Sequence, residues 1–293
     1  MSTHRTTLTA ALAVAASTVA LAATSLPAEA AEPLTCGAVV TTDVRLTSDL
    51  VDCPGSGLVV GASGITIDLA GHVIDGIGQG TGVDVSAGHD DVRIMRGTVG
   101  QFRFGVHLFE SDASVLDRLV VDRNLRGVIV ERSSGAQLQR VTASGNASGG
   151  VDINFSEGVT VRRSSATDNG FAGFAEVASQ GTEYDRNTAS GNGAAGLTLW
   201  FSAGTVLERN VVNDNQFHGI ELTGVEDAHL ARNEASGNAE HGIAIDRAGN
   251  VLVRNLARGN RGTGIAAPEG TIDGGRNQAH DNAAGDAGAV AGR

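Results

Sequence analysis

The sequence predicts an all-β protein in which one chain winds as a parallel solenoid of about nine to ten coils, each 22–23 residues long. Three observations carry this expectation. A Gly-apolar-x-apolar unit returns at near-constant intervals; columns of Arg and Asn keep register with it; and no apolar stripe of helical period is long enough for a helix. The unit starts at Gly82, Gly105, Gly127, Gly150, Gly173, Gly196, Gly219, Gly242 and Gly264, with spacings of 23, 22, 23, 23, 23, 23, 23 and 22.

From the amino terminus, residues 1–30 read as a secretory signal peptide. His4 and Arg5 give the polar start, Leu8 to Leu26 the apolar run, and Ala28-Glu29-Ala30 the small-x-small cleavage site. Residues 31–60 are expected to cap the solenoid. Cys36 and Cys53, 17 apart, are the only cysteines. In an exported chain they form a disulfide, worth roughly 3 kcal/mol in the chain-entropy picture. Residues 61–285 are the coils, and 286–293 a flexible tail.

Within each coil a second apolar position recurs at Leu116, Leu138, Val161, Tyr184, Leu207, Leu230 and Leu252. Two residues later stands Arg96, Arg118, Arg140, Arg163, Arg186, Arg209, Arg232, Arg254 or Arg276. Asn follows at Asn187, Asn210, Asn233, Asn255 and Asn277, and a second Asn column runs from Asn124 and Asn146 to Asn260 and Asn282. A short strand cannot bury its apolar side alone. Stacking coils about 4.8 Å apart lets each bond its neighbours while apolar side chains form interior rows. Corners need tight or left-handed backbone, for which Gly and Asn are the expected residues. Buried Asn rows bond one another and the backbone, so they read as structural and not as ligands.

Segments such as ERNVVNDNQFHGIEL and ARNEASGNAEHGIAI, within residues 57–285, resemble the right-handed parallel β-helix repeat proteins of the pectin-lyase-like superfamily. That resemblance implies a right-handed β-helix. It leaves activity open, because the superfamily holds polysaccharide lyases, hydrolases and epimerases as well as proteins without known activity. The opening SGITIDLAGHVIDG, with Asp68, His72 and Asp75, is similar to an entry turn of its secreted members.

Composition narrows the partners. The 293 residues include 41 Gly and 10 aromatics, and all 21 basic residues are Arg; the net charge of −12 opposes nonspecific binding to nucleic acid or an anionic membrane. After signal removal no stretch is long enough to span a bilayer.

Outward positions that do not repeat one residue mark where folding alone does not dictate identity. The densest group is Trp200, His218, Glu221, Glu240, His241 and Asp246. Glu221 and Asp246 are expected to pair as carboxylates beside His241, a set suited to acid–base work at a glycosidic bond or a uronate C5. Trp200, with His218 and Asp152, is expected to bind the sugar. A second group, Asp84, His89, Asp90, Asp91 and His107, is the candidate for Ca²⁺; otherwise no cofactor is expected. The Arg column reads as a surface ladder of Arg and carboxylate groups.

The catalytic patterns implied by the resemblance are not matched. Of the polygalacturonase-type set (Asn-Thr-Asp, Asp-Asp, Gly-His-Gly, Arg-x-Lys), only Asp90-Asp91 is present, and the chain has no lysine. The Asp-Pro-His epimerase signature is absent. The expected function is a secreted protein that binds, and cleaves or epimerises, an extracellular polysaccharide containing uronic acid. The competing expectation is a non-catalytic surface or adhesion scaffold. The degenerate last turn leaves a strand edge open to a partner.

Overall fold

The computed structural model describes residues 34–286; the signal peptide expected over 1–30 and the tail beyond 286 lie outside the described residues. The chain winds through three parallel sheets that form the faces of a prism. The first sheet has eleven strands, from Ala38–Val40 through Leu197–Trp200 to Ile265–Ala266. The second runs from Val44–Arg45 through Thr160–Arg162 to Ile272–Asp273, and the third from Leu50–Cys53 through Ser165–Thr167 to Gln278–His280. Two long strands, Arg93–Gly100 and Val115–Asp122, serve both the second and third sheets.

Eleven coils result, slightly more than expected, because residues 38–53 wind as a coil of their own. The Cys36–Cys53 disulfide, with Cα atoms 5.4 Å apart, ties the entry of that coil to its third strand.

The registers explain the repeat. Val151, Phe174, Leu197, Ile220 and Ile243 align as one interior row of the first sheet. Leu138, Val161, Tyr184, Leu207 and Leu230 form the facing row of the second. The third contributes smaller side chains, Ala143, Ala166, Ala189, Val212 and Ala235, which narrows the interior there. All of these side chains are buried.

The repeating glycines are required by close approach. A Cβ on Gly219 would lie 2.5 Å from the Gly242 carbonyl oxygen and 2.7 Å from Asn238 Nδ2. Gly and Asn columns are therefore one device, in which the missing side chain makes room for the amide ladder. In that ladder Asn192 Oδ1 accepts the backbone N–H of Asn169 at 3.1 Å and its Nδ2 at 3.0 Å. Asn192 Nδ2 in turn donates to Asn215 Oδ1 at 2.9 Å and to the Ala166 carbonyl at 3.1 Å. The ladder from Asn187 to Asn277 repeats the pattern, and Ser164 extends it by donating its N–H to Asn187 Oδ1.

Gly135, Gly158, Gly181 and Gly204 are left-handed at one corner as expected, but the corner after the second sheet departs from expectation. The left-handed residue is the Arg and not the Asn behind it: φ is 50° at Arg163, 55° at Arg209 and 57° at Arg232. This backbone costs a non-glycine residue of order 1 kcal/mol. It turns the next residue, Asn or Ser, into the interior, and leaves the long Arg side chain at the surface. A third ladder, not anticipated from sequence, follows the first sheet: Ser111, Ser133, Ser156 and Ser179 each donate N–H to the Oγ of the Ser one coil on, ending at Ser202.

One interior position breaks the apolar rows. Glu176 stands between Ile153 and Leu199 and is fully buried. Thr205 Oγ1 donates to its Oε1 at 3.0 Å, while the hydroxyls of Tyr184, Thr182 and Ser202 face it at looser geometry. Burial pushes the Glu176 carboxyl above the usual carboxylate range against those hydrogen bonds.

Candidate functional site on the first sheet

The outer face of the first sheet presents two columns of side chains. In one, Asp84, His107, Ile129, Asp152, Ala175, Thr198, Glu221 and Ala244 align coil by coil. In the other stand Phe109, Glu131, Asn154, Val177, Trp200 and Thr223. The face is open, because the turns on either side are short and carry no long loops.

Aromatic side chains rim this face at both edges, and sequence reasoning missed them. Phe171 and Phe217 stand on the leading edge at 41% and 42% exposure; Phe155 and Phe201 stand on the trailing edge at 58% and 69%. In each pair the two are 46 residues apart, two coils, with Ala194 or Ala178 between them. The signal was available as a period of two coils superposed on the period of one. Small residues follow the rings for a steric reason: a Cβ on Gly224 would lie 2.7 Å from Phe201 Cδ1. The same alternation holds at the corner before the first sheet, where a Cβ on Gly191 or Gly237 would lie 2.4 Å from Asp168 or Asp214 Oδ1.

Trp200 and Glu221 stand on adjacent strands within this frame. Thr198 Oγ1 donates to Glu221 Oε2 at 2.9 Å, and the Trp200 indole lies 6.3 Å from the Phe171 ring across the face. At the leading edge His218 and His241 stack with centroids 5.0 Å apart, and Phe217 lies 4.0 Å from His218. His218 Nδ1 accepts the backbone N–H of His241 at 3.2 Å, and His241 Nδ1 accepts that of Thr263 at 2.8 Å. A ring that accepts at Nδ1 carries its hydrogen on Nε2, so both rings present the same edge to the solvent side of the stack. Burial and the neighbouring His241 push the His218 imidazole down to about 4, against the opposing pull of Glu240.

Two expected members lie elsewhere. Asp246 is not paired with Glu221: it turns into the corner, where its Oδ1 accepts the Gly224 N–H at 2.8 Å, beside Glu226, Asp227 and Arg247. The strand ends at Ile245, so the next residue follows the turn and not the face. Asp152 stands three coils from Glu221, about 14 Å away. It is buried over Gly149, with Arg126 Nε at 3.7 Å, and burial pushes its carboxyl upward against the Arg126 charge.

The residues considered for Ca²⁺ are dispersed. Asp84 Oδ1 accepts the Ser86 N–H, Asp90 Oδ1 accepts the Asp112 N–H, and Asp91 is a left-handed corner residue. Among the described residues no three His, Cys, Asp or Glu side chains stand close enough to hold a metal ion. His107 aligns with Asp84 and lies between Phe104 and Phe109, with its Nε2 4.0 Å from Glu131; burial lowers its basicity against those two carboxylates. Asp68, His72 and Asp75 serve corners and the first coils, bonding Arg96, Asp49 and Gln101.

The Arg column is a ladder of ion pairs along much of its length. Asp117 holds Arg118 and Arg140, Asp185 holds Arg186 and Arg209, and Glu208 holds Arg209 and Arg232.

The model of the family described as "Right handed beta helix region" matches residues 47–189 and 126–283. The chain belongs to that family. Among solved structures, it is similar to the A-module of the mannuronan C-5 epimerase AlgE6 of Azotobacter vinelandii at 14% identity and a TM-score of 0.63, covering 83% of this chain and 79% of that one. The periplasmic alginate epimerase AlgG matches at 16% identity and a TM-score of 0.54, covering 81% and 71%. The enzymatically active domain of tailspike protein 2 of bacteriophage CBA120 matches at 11% identity and a TM-score of 0.55, covering 76% of this chain and 43% of that one. At these identities the likeness is one of fold. No curated protein matches the chain in sequence. No helix among the described residues is long and apolar enough to cross a membrane.

Proposed function

We propose that this chain is an exported protein that binds an extracellular polysaccharide along the outer face of its first sheet. The observation that carries the reading is the aromatic rim: Phe171 and Phe217 on one edge, Phe155 and Phe201 on the other, with Trp200 lying between them. Exposed rings of this kind have no role in the core, and they offer flat apolar surfaces to the C–H faces of sugars. Glu221, one coil on from Trp200 and held by the Thr198 hydroxyl, supplies carboxylate acceptors for sugar hydroxyls. The disulfide suits an oxidising compartment. The similarity in fold to two alginate epimerases and a phage tailspike domain supports the polysaccharide class.

Binding is favoured over turnover by the chemistry of the face. Both histidine Nδ1 atoms are occupied by backbone N–H groups, Asp246 is committed to the Gly224 corner, and no loop walls exclude water. Glu221 is thus a binding residue in this proposal, and His241 and Asp246 hold the coils beside it. Screening neutral and acidic polysaccharides by affinity electrophoresis, with reducing-end release and unsaturated-uronate absorbance measured in parallel, tests it. Binding that is lost in Trp200→Ala supports the reading; binding unchanged in Trp200→Ala and Phe201→Ala removes the face from it.

A further inference from the structure

We propose that the corner between the second and third sheets carries an oxyanion site formed by Arg140, Arg162, Arg163 and Arg186, which takes a carboxylate of an acidic glycan. The argument begins with the residue that precedes each column Arg: Asp117, Gln139, Arg162, Asp185 and Glu208 in five successive coils. Where that residue is acidic, it bridges the guanidinium of its own coil and that of the next. At Gln139 and Arg162 the acidic row is interrupted for two adjacent coils.

The interruption leaves a positive stretch. Arg140 reaches back to Asp117 Oδ1 at 3.0 Å, Arg162 reaches sideways to Glu183 at 2.7 Å, and Arg186 holds Asp185 at 2.7 Å. Arg163 has no carboxylate within ion-pair distance among the described residues. A cleft of about 240 Å³ opens here, lined by Gln139, Arg140, Arg162, Arg163, Asp185 and Arg186. The cleft lining thus holds four guanidinium groups and one carboxylate, Asp185, while Asp117 and Glu183 engage Arg140 and Arg162 from outside it, on a chain whose net charge is −12.

An oxyanion relieves that repulsion. Guanidinium groups pair carboxylates through two parallel hydrogen bonds, and successive coils set the backbones that carry them about 4.8 Å apart. Asp117 bounds the stretch on one side and Asp185 on the other, so it extends over two coils, about 10 Å. That length suits one or two acidic sugars and not a long phosphodiester chain, which the surrounding negative charge repels. The cleft lies on a different edge of the prism from the aromatic-rimmed face. It shares with the proposed function only the class of molecule, and it needs neither Trp200 nor Glu221.

Titration calorimetry with oligogalacturonate, a neutral oligosaccharide of equal length and inorganic phosphate tests the site in wild type, Gln139→Glu, Arg163→Gln and Trp200→Ala proteins. Gln139→Glu restores the acidic row that Asp117, Asp185 and Glu208 already occupy, so the coil retains its packing; thermal melts check this, and Arg163→Gln gives a second readout. The expected result is salt-sensitive binding of oligogalacturonate that weakens at least tenfold in Gln139→Glu and in Arg163→Gln. Equal affinity in wild type and both cleft variants overturns the site. So does equal binding of the neutral oligosaccharide, or phosphate binding as tight as oligogalacturonate, which marks an adventitious ion only. Loss of oligogalacturonate binding in Trp200→Ala alone places the acidic sugar on the first sheet and also overturns it. Failure of the first-sheet reading shows separately, as neutral-glycan binding that ignores Trp200.

Discussion

The imidazole of His218 lies flat against that of His241, planes 9° apart, and accepts the backbone N–H of the same residue it stacks on. The pair does with side-chain rings what the Asn columns do with amides, in the opposite direction: His218 satisfies the backbone donor of the following coil, whereas each Asn satisfies that of the preceding one. A proton added to His218 Nδ1 removes that acceptor and sets a charge against a second ring.

The first prediction concerns pH. The folded His218 titrates at about 4, below its ordinary 6.5. A depressed folded value means that the unfolded chain takes up the proton first. The contribution of His218 is therefore whole above pH 6.5 and is lost as pH falls toward 4. Thermal melts across that window are expected to show a fall in midpoint that is reduced in His218→Gln. An equal slope in both proteins removes His218 as its source.

Glu176 predicts the opposite sign. Burial holds its folded carboxyl above the ordinary 4.5. Its contribution is fully present below that pH and is lost as pH rises through the folded value. Glu176→Gln, which keeps an acceptor for Thr205, is expected to melt at a higher temperature than wild type at pH 8 and to lose most of that advantage at pH 4. A variant less stable than wild type at pH 8 shows that the carboxylate is better satisfied inside the coil than argued here.

The Asn ladder predicts a contrast within one residue type. Asn192→Ala leaves the Asn169 N–H and amide, the Ala166 carbonyl and Asn215 Oδ1 each short of a buried partner. Its cost is expected to be at least about 2 kcal/mol in denaturant unfolding, since each buried orphan costs roughly 1–3 kcal/mol. Asn154→Ala, on the outer face, is expected to change stability by less than about 0.5 kcal/mol.

For the aromatic rim, Trp200→Ala is expected to weaken polysaccharide binding roughly tenfold, the scale of one ring contact. Melting temperature is expected to hold, because the indole stands outside the core. Phe174→Ala serves as the reverse case, destabilising by about 3–5 kcal/mol through an interior cavity.

The coil architecture was legible because a solenoid converts sequence periodicity directly into spatial register: Gly196, Gly219 and Gly242 align where their spacing placed them. The site was legible only in part. Trp200 and Glu221 stand in the columns that their spacing from Gly196 and Gly219 predicts, whereas Asp246 lies past the end of its strand at Ile245 and turns into the corner. The left-handed Arg corners went unread because propensity favours Gly and Asn there, whereas packing demands Asn one residue later, inside. The Phe rims were hidden by looking for one period when the chain carries two.

That second period sets how such a molecule can change length. Excising residues 178–223 removes two coils and seats Gly224 after Val177, beside Phe155, in the place Ala178 now holds. Excising 178–200 alone brings Phe155 onto Phe201, Phe171 onto Phe217 and Asp168 onto Asp214. Duplication or loss of a 46-residue block preserves the alternation of rings and small residues, whereas a 23-residue change sets three pairs of large side chains against each other at once. The natural quantum of growth for this stretch of the gene is therefore the pair.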